Sequence, residues 1–286
     1  MYIASDMPIN FLQNIKASDP LTLNPIADQD VRCFDLVTEH ILGAYIFSCR
    51  GLKSNQPLFN DGCPSLIFMP RKSDAVLLKE KGETRKVNFA WVCCGVITNT
   101  YWEIPDDLEY IMVIRFQPSS FYSLFNVRPS MFFSKPICNL EDIVEEKWMQ
   151  IFDKMYEKKT LAEQVSFLDS VFSLFQTNNS CPYILNAATN YIEDKRGNAT
   201  VSDVLQHLGK GVNAKWLHRN FVKYIGISPK KYISLQRFIY TYKQYKISKS
   251  EDFLDVILPS GYYDYNHFLK DFKYYIGIAP SRHPWD

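Results

Sequence analysis

The chain has no apolar run approaching the roughly 18–20 residues that a membrane-crossing helix requires, so no membrane span is expected. Its opening residues, MYIASDMPIN, carry neither a basic stretch nor an apolar one, so no secretory signal is expected and the reducing cytoplasm is the expected compartment. Seven cysteines show no CxxC pair and no zinc-type cysteine and histidine spacing. Cys93-Cys94 reads as two adjacent thiols buried in a strand. Histidine is scarce: only five occur, and His40 alone falls before residue 181. A metal-dependent barrel enzyme would need about three histidines and a carboxylate on its strands, which this chain does not have. His40 reads as a strand residue. No phosphate loop, dinucleotide fingerprint or catalytic triad is present. Neither a cofactor nor an enzymatic reaction is expected.

What the chain does contain is enough apolar material for real cores, at 47% of its 286 residues, which suits two domains with a connector. Its net charge of +1 conceals an asymmetry. From Tyr183 onward there are 15 Lys and Arg against 9 Asp and Glu. Subtracting these from totals of 32 and 31 leaves 17 against 22 for the first 182 residues. A basic final hundred residues on an acidic first part points to a polyanionic partner for the C-terminal part.

Residues 1–138 read as β-rich. Apolar stretches recur at His40 to Cys49, Ser65 to Pro70, Asp74 to Lys79, Val87 to Ile97 and Tyr110 to Gln117. Turns are supplied by Asn60-Asp61-Gly62, Lys81-Gly82-Glu83 and Pro105-Asp106-Asp107. Strands this short and evenly spaced suggest a small barrel or sandwich. Phe121 to Val127 reads as a short helix. Residues 139–180 then change period: Ile143, Val144, Trp148, Ile151, Phe152 and Met155 form one helical stripe. Thr160 with Glu163 makes a capping box ahead of Val165, Leu168, Val171, Phe172 and Phe175. These stripes suit either a dimer contact or packing on the strands. Thr177 to Pro182 is the expected linker.

The last segment, 181–286, is all helical and says one thing twice. Leu217, Arg219, Phe221, Ile225-Gly226-Ile227 and Pro229 recur 51 residues later as Phe268, Lys270, Phe272, Ile276-Gly277-Ile278 and Pro280. Residues 217, 221 and 225, like 268, 272 and 276, share one helical face, and glycine ends each helix. The duplication of one small basic helical unit is therefore expected. Thr200 with Asp203, Asn213 and Asp264 are the expected caps, and Ser228-Pro229 opens a long connecting helix. Pro259 stops the short helix that begins near Ser250.

This arrangement resembles the AraC/XylS-type DNA-binding domain, two helix-turn-helix units joined by a long helix. Gly261-Tyr262-Tyr263-Asp264-Tyr265-Asn266-His267-Phe268, Phe272-Lys273 and Gly277-Ile278-Ala279-Pro280 carry the likeness in the second unit. Leu217, Arg219, Phe221, Gly226, Pro229 and Tyr232 carry it in the first, with Arg237 on the connecting helix. More weakly, Asn60 to Phe68 and Ile114 to Pro118 with Leu124-Phe125 resemble a cupin-like sensory domain. The resemblance implies an α+β multidomain chain: a small cupin-like β-barrel, a helical connector and an all-α domain. It implies a transcriptional regulator that binds double-stranded DNA in the major groove, with a small-molecule effector at the first domain and a homodimer as further partners.

Helical geometry and the resemblance together assign the DNA-facing residues. Lys215, His218, Arg219 and Lys223 lie on the outward face of the first unit. Tyr265, Asn266, Leu269, Lys270 and Lys273 lie on that of the second. Arg219 suits guanine and Asn266 adenine, while Lys223 and Lys273 suit phosphates. No effector residues are assigned. Several positions depart from the family pattern: Leu205 and Ile257 stand where a small residue is usual, the turn Gly209 to Val212 is two residues longer, and Asn220 and Asp271 replace apolar residues. Asp271 is expected beside the DNA face. The alternative these departures favour is a ligand- or protein-binding module whose helix-turn-helix domain no longer reads DNA specifically.

Overall fold

A computed structural model describes residues 31–34, 40–49, 55–80, 82–174, 182–248 and 253–283. The linker expected at 177–181, Lys81, Phe175 and Ser250 lie outside the described residues. Among the described residues ten strands come first: β1 (Val31–Phe34), β2 (Ile41–Ser48), β3 (Gln56–Leu58), β4 (Ser65–Phe68), β5 (Ala75–Glu80), β6 (Glu83–Asn88), β7 (Ala90–Cys93), β8 (Thr100–Glu103), β9 (Tyr110–Phe116) and β10 (Ile137–Asn139). They form two antiparallel sheets, one ordered β1-β2-β9-β4-β7-β10 and the other β3-β8-β5-β6. The apolar stretch 87–97, read as one strand, is split. At Phe89 the chain leaves the four-stranded sheet after Asn88 and enters the six-stranded one at Ala90. No turn residue marks this crossing, so apolar content alone runs the two strands together.

Strand alternation sends successive residues to opposite faces, and here both faces of the larger sheet are covered. Tyr45, Phe47, Ile67 and Trp91 face the second sheet and meet Leu58, Val76, Leu78 and Trp102. Trp91 and Trp102, whose ring centroids are 6.3 Å apart, fill much of that space. Leu66, Phe68, Val92, Met112 and Ile114 face the other way, against α1 (Pro118–Leu124), α2 (Glu146–Tyr156) and α3 (Leu161–Leu174). Coverage on both sides accounts for the nearly continuous apolar runs of β4 and β9.

The stripes on α2 and α3 are taken up by this sheet. Phe152 packs on Phe68 with centroids 5.1 Å apart, Phe172 on Phe116 at 5.5 Å, and Trp148, Met155 and Leu168 are fully buried beside them. The capping box opening α3 forms as expected: Thr160 Oγ1 accepts from the Glu163 N–H at 3.2 Å, and the Glu163 carboxylate accepts from the Thr160 N–H.

The helical part comprises α4 (Tyr183–Asp194), α5 (Val201–Leu208), α6 (Ala214–Tyr224), α7 (Pro229–Ser248), α8 (Leu254–Ile257) and α9 (Tyr265–Ile276). Its core is built from Leu217, Phe221 and Ile225, from Phe268, Phe272 and Ile276, and from Tyr232, Leu235, Phe238 and Tyr242 of α7. The two repeated apolar faces therefore bury as their spacing predicts.

Two β-domain residues join this core, Phe59 within it and Val96 at its edge. Phe59, in the turn after β3, is 1% exposed and lies edge-on to both Phe238 and Tyr242. The following residues continue the junction. Gly62 lies against Ile227, Tyr232 and Leu235, and the Asp61 carbonyl accepts from Gln236 Nε2 at 2.8 Å. The Asp61 carboxylate pairs with the buried Arg115 guanidinium of β9. Asn60 holds the opposite loop by donating to the Gly95 carbonyl at 3.0 Å and accepting from the Ile97 N–H. The Asn60-Asp61-Gly62 turn read from the sequence is thus the wedge that joins the two halves.

Candidate nucleic-acid interface

The two repeated helices begin alike. Asn213 Oδ1 accepts from the Trp216 N–H at 2.8 Å, and Asp264 Oδ1 from the His267 N–H at 2.7 Å. Each side chain satisfies a backbone donor that has no partner within its helix. Ahead of α6, the Thr200 and Asp203 capping box opens α5. The longer turn that follows is built on Gly209 and Gly211, both with positive φ. In the second pair, α8 spans only Leu254–Ile257 before Pro259.

Burial divides each helix into two faces. On α6, Leu217, Asn220 and Phe221 are buried, and Lys215, His218, Arg219 and Lys223 are exposed. On α9, Phe268, Phe272, Tyr275 and Ile276 are buried; Asn266, Lys270 and Lys273 are exposed, and Tyr265 and Leu269 are half-buried. Seven of the nine candidate residues are therefore exposed, while Leu269 is half-buried and Tyr265 packs against the helical core. Lys215, Arg219, Lys223, Lys270 and Lys273 make no ion pair among the described residues. Ion pairs do form within the β-domain and between it and α2, such as Arg85 with Glu80 and Lys72 with Asp153.

The departures from the family pattern are absorbed by packing. Asn220 is buried and donates from Nδ2 to the Trp216 carbonyl at 2.8 Å, one turn earlier on its own helix. Ile257 is fully buried in the helical core, and Leu205 packs against its edge. The expectation for Asp271 needs correction. Its carboxylate does not face outward with the lysines; it accepts from Ser234 Oγ and Tyr262 Oη, each at 3.1 Å. Nearby burial and the Asp271 carboxylate push the Tyr262 phenol well above its ordinary range. Sequence spacing put Asp271 one residue from Lys270, but the 100° step between neighbours turns it toward α7. Arg237 closes the same cluster, its guanidinium 5.6 Å from the Tyr262 ring centroid and its Nε donating to the Gly197 carbonyl at 3.1 Å.

A cleft of about 400 Å³ continues the basic face beyond the end of α9, lined by Lys273, Gly277, Ile278, Ala279, Ser281 and Arg282. Arg282 is exposed and, like Lys273, makes no ion pair among the described residues. Sequence reasoning missed it because it lies past the repeated helix. The signal available was its alignment with Lys231, 51 residues earlier.

No family model and no curated protein matches this chain. Among solved structures it is similar to ToxT from Vibrio cholerae. An apo variant from strain SCE256 matches over 86% of this chain and 96% of its own, with 13% identity and a TM-score of 0.44. ToxT from strain O395 matches over 88% and 97%, with 13% identity and a TM-score of 0.44. A wild-type ToxT with unsaturated fatty acid bound matches over 85% and 94%, with 12% identity and a TM-score of 0.42.

Proposed function

We propose that this chain is a transcriptional regulator that binds specific double-stranded DNA sequences, and that it is not an enzyme. The observation that carries the reading is the pair of capped, equivalent helices whose exposed faces hold cations that make no ion pair among the described residues. Such charges are available to phosphates, and their neighbours to base edges. In this reading residues 181–286 form two helix-turn-helix units. Arg219 and Asn266 read bases, and Lys223, Lys273 and Arg282 hold phosphates. Lys215, His218, Tyr265, Leu269 and Lys270 complete the groove-facing set. Two such helices on one body enter successive turns of the major groove, about 34 Å apart. Residues 1–138 form the cupin-like sensory domain and 139–180 the connector, with a small-molecule effector and a second copy of the chain as further partners.

The test is fluorescence-anisotropy binding to DNA from upstream of the protein's own gene and its neighbours. A scrambled duplex, two salt concentrations and an Arg219→Ala/Lys270→Ala variant serve as controls. The reading expects affinity about a thousandfold above the scrambled duplex, lost in the variant. Equal, steeply salt-dependent binding to both duplexes would leave only phosphate attraction and would favour a binding module that no longer reads DNA.

A further inference from the structure

The repeated Ile-Gly-Ile segments do more than end two helices: both are seated on the β-domain. The Ile225 carbonyl at the end of α6 accepts from Tyr122 Oη of α1 at 3.4 Å. The equivalent Ile276 carbonyl, 51 residues later, accepts from Tyr101 Oη of β8 at 2.7 Å. Beside it, the Tyr275 carbonyl accepts from the Asn99 N–H at 2.8 Å. The glycines show how close the approach is. A Cβ on Gly226 would fall 2.6 Å from Tyr122 Oη, and one on Gly277 1.8 Å from Asn99 Oδ1. One structural motif, used twice, thus makes the same kind of contact twice.

Tyr122 stands on α1, and Tyr101 lies a few residues beyond the segment from Gly95 to Ile97. Asn60 grips that segment at Gly95 and Ile97. The capped N-terminal ends of α6 and α9, with Lys215 and Asn266, are the ends away from this contact. At 1.5 Å per residue the eleven residues of α6 and the twelve of α9 place them about 16 Å and about 18 Å distant. The β-domain therefore grips the two helices without covering their reading faces.

We infer that the β-domain is a spacer that fixes the separation of α6 and α9, with Tyr101 and Tyr122 as the positioning residues. The inference rests on the proposed DNA reading for its purpose, though not for its mechanics. Two readers held at a set distance lose little further freedom on binding, whereas independently moving readers lose affinity for a two-part site.

The test compares wild type with Tyr101→Phe/Tyr122→Phe, which keeps both rings and removes both hydroxyls. Spin labels at exposed positions 210 and 263, introduced as Lys210→Cys and Tyr263→Cys in a chain carrying Cys33→Ser and Cys181→Ser, report the distance distribution between the units. A thermal-unfolding scan confirms that the variant is folded, and Tyr101→Phe alone serves if the pair is not. The expected result is a narrow distribution in wild type and a broad one in the variant. On the duplex that wild type selects from its upstream DNA, the variant should bind on the order of tenfold more weakly. It should also tolerate one or two inserted base pairs between half-sites better than wild type does. An unchanged distance distribution overturns the spacer. So does a broadened distribution with DNA affinity unchanged or increased. If wild type selects no duplex, the DNA reading fails, and the distance measurement still decides whether the tyrosines hold the two units apart.

Discussion

Phe59 meets Tyr242 edge to face, ring centroids 5.3 Å apart and planes inclined by 75°, although one side chain belongs to a turn between strands and the other to the long helix α7. A β-domain side chain thus fills a hole in the helical core. Replacing it with alanine should leave a cavity there, at a cost of about 3–5 kcal/mol. The wild-type chain should unfold in one calorimetric transition, and Phe59→Ala should separate it into two as the halves lose their common core. Identical single transitions in both proteins would show that Phe59 does not couple them.

Asp271 separates two accounts of the second helix. As a carboxylate accepting from Ser234 and Tyr262, its loss in Asp271→Ala should cost about 1–3 kcal/mol, because a half-buried and a buried hydroxyl lose their acceptor. Asp271→Asn removes the charge and keeps an acceptor oxygen. It should unfold at nearly the wild-type urea midpoint and bind DNA within about twofold of wild type, the change expected of a charge turned away from the phosphates. A large gain in DNA affinity from the asparagine variant would return Asp271 to the DNA face.

How much of this was legible follows from what each signal measures. Caps and periodicity are local, so Thr200, Asn213, Asp264 and the faces of α6 and α9 could be read directly. The burial of α2 and α3 could not: an amphipathic stripe states that a helix is covered, not by what. The same limit explains why Val87 to Ile97 merged two strands, since Phe89 crosses between sheets with no turn residue. The Ile-Gly-Ile repeats were visible as helix ends, but their seats at Asn99, Tyr101 and Tyr122 depend on long-range approach that no spacing encodes. Asp271 was misplaced because residue type was weighed before helical phase.

Burial sets an alkaline limit on stability. Desolvation pushes the Cys49 thiol up from 9.0 to about 12, and raises Cys63, Cys93, Cys94 and Cys138 as well. Between the unfolded and folded values the native state holds the proton and the unfolded state releases it, so stability falls as pH rises. The contribution is complete below pH 9 and is lost progressively above it. At pH 10 Cys49 alone should account for about 1.4 kcal/mol. Urea midpoints should fall between pH 8 and pH 10, and Cys49→Ala should lessen that fall. A flat profile, or one unaltered by the substitution, would place the thiol in contact with water.

Gly277 tests the junction from its other side. Its φ of +91° disfavours any side chain, and a Cβ there would also strike the Asn99 side chain, with Cγ only 2.5 Å away. These two costs can be separated. Gly277 sits in the left-handed helical region, with ψ −14°, where backbone strain alone should cost an alanine about 1–2 kcal/mol. Gly277→Ala adds the collision and should cost more. Asn99→Gly removes the obstructing atoms, and Asn99 itself has positive φ, so glycine suits its backbone. The double variant should then recover toward the strain-only cost, giving a coupling of about 0.5–3 kcal/mol between a β-domain residue and the end of α9. Strict additivity in urea unfolding would mean that the end of α9 is not seated on the β-domain, and the second of the two matched contacts would be lost with it.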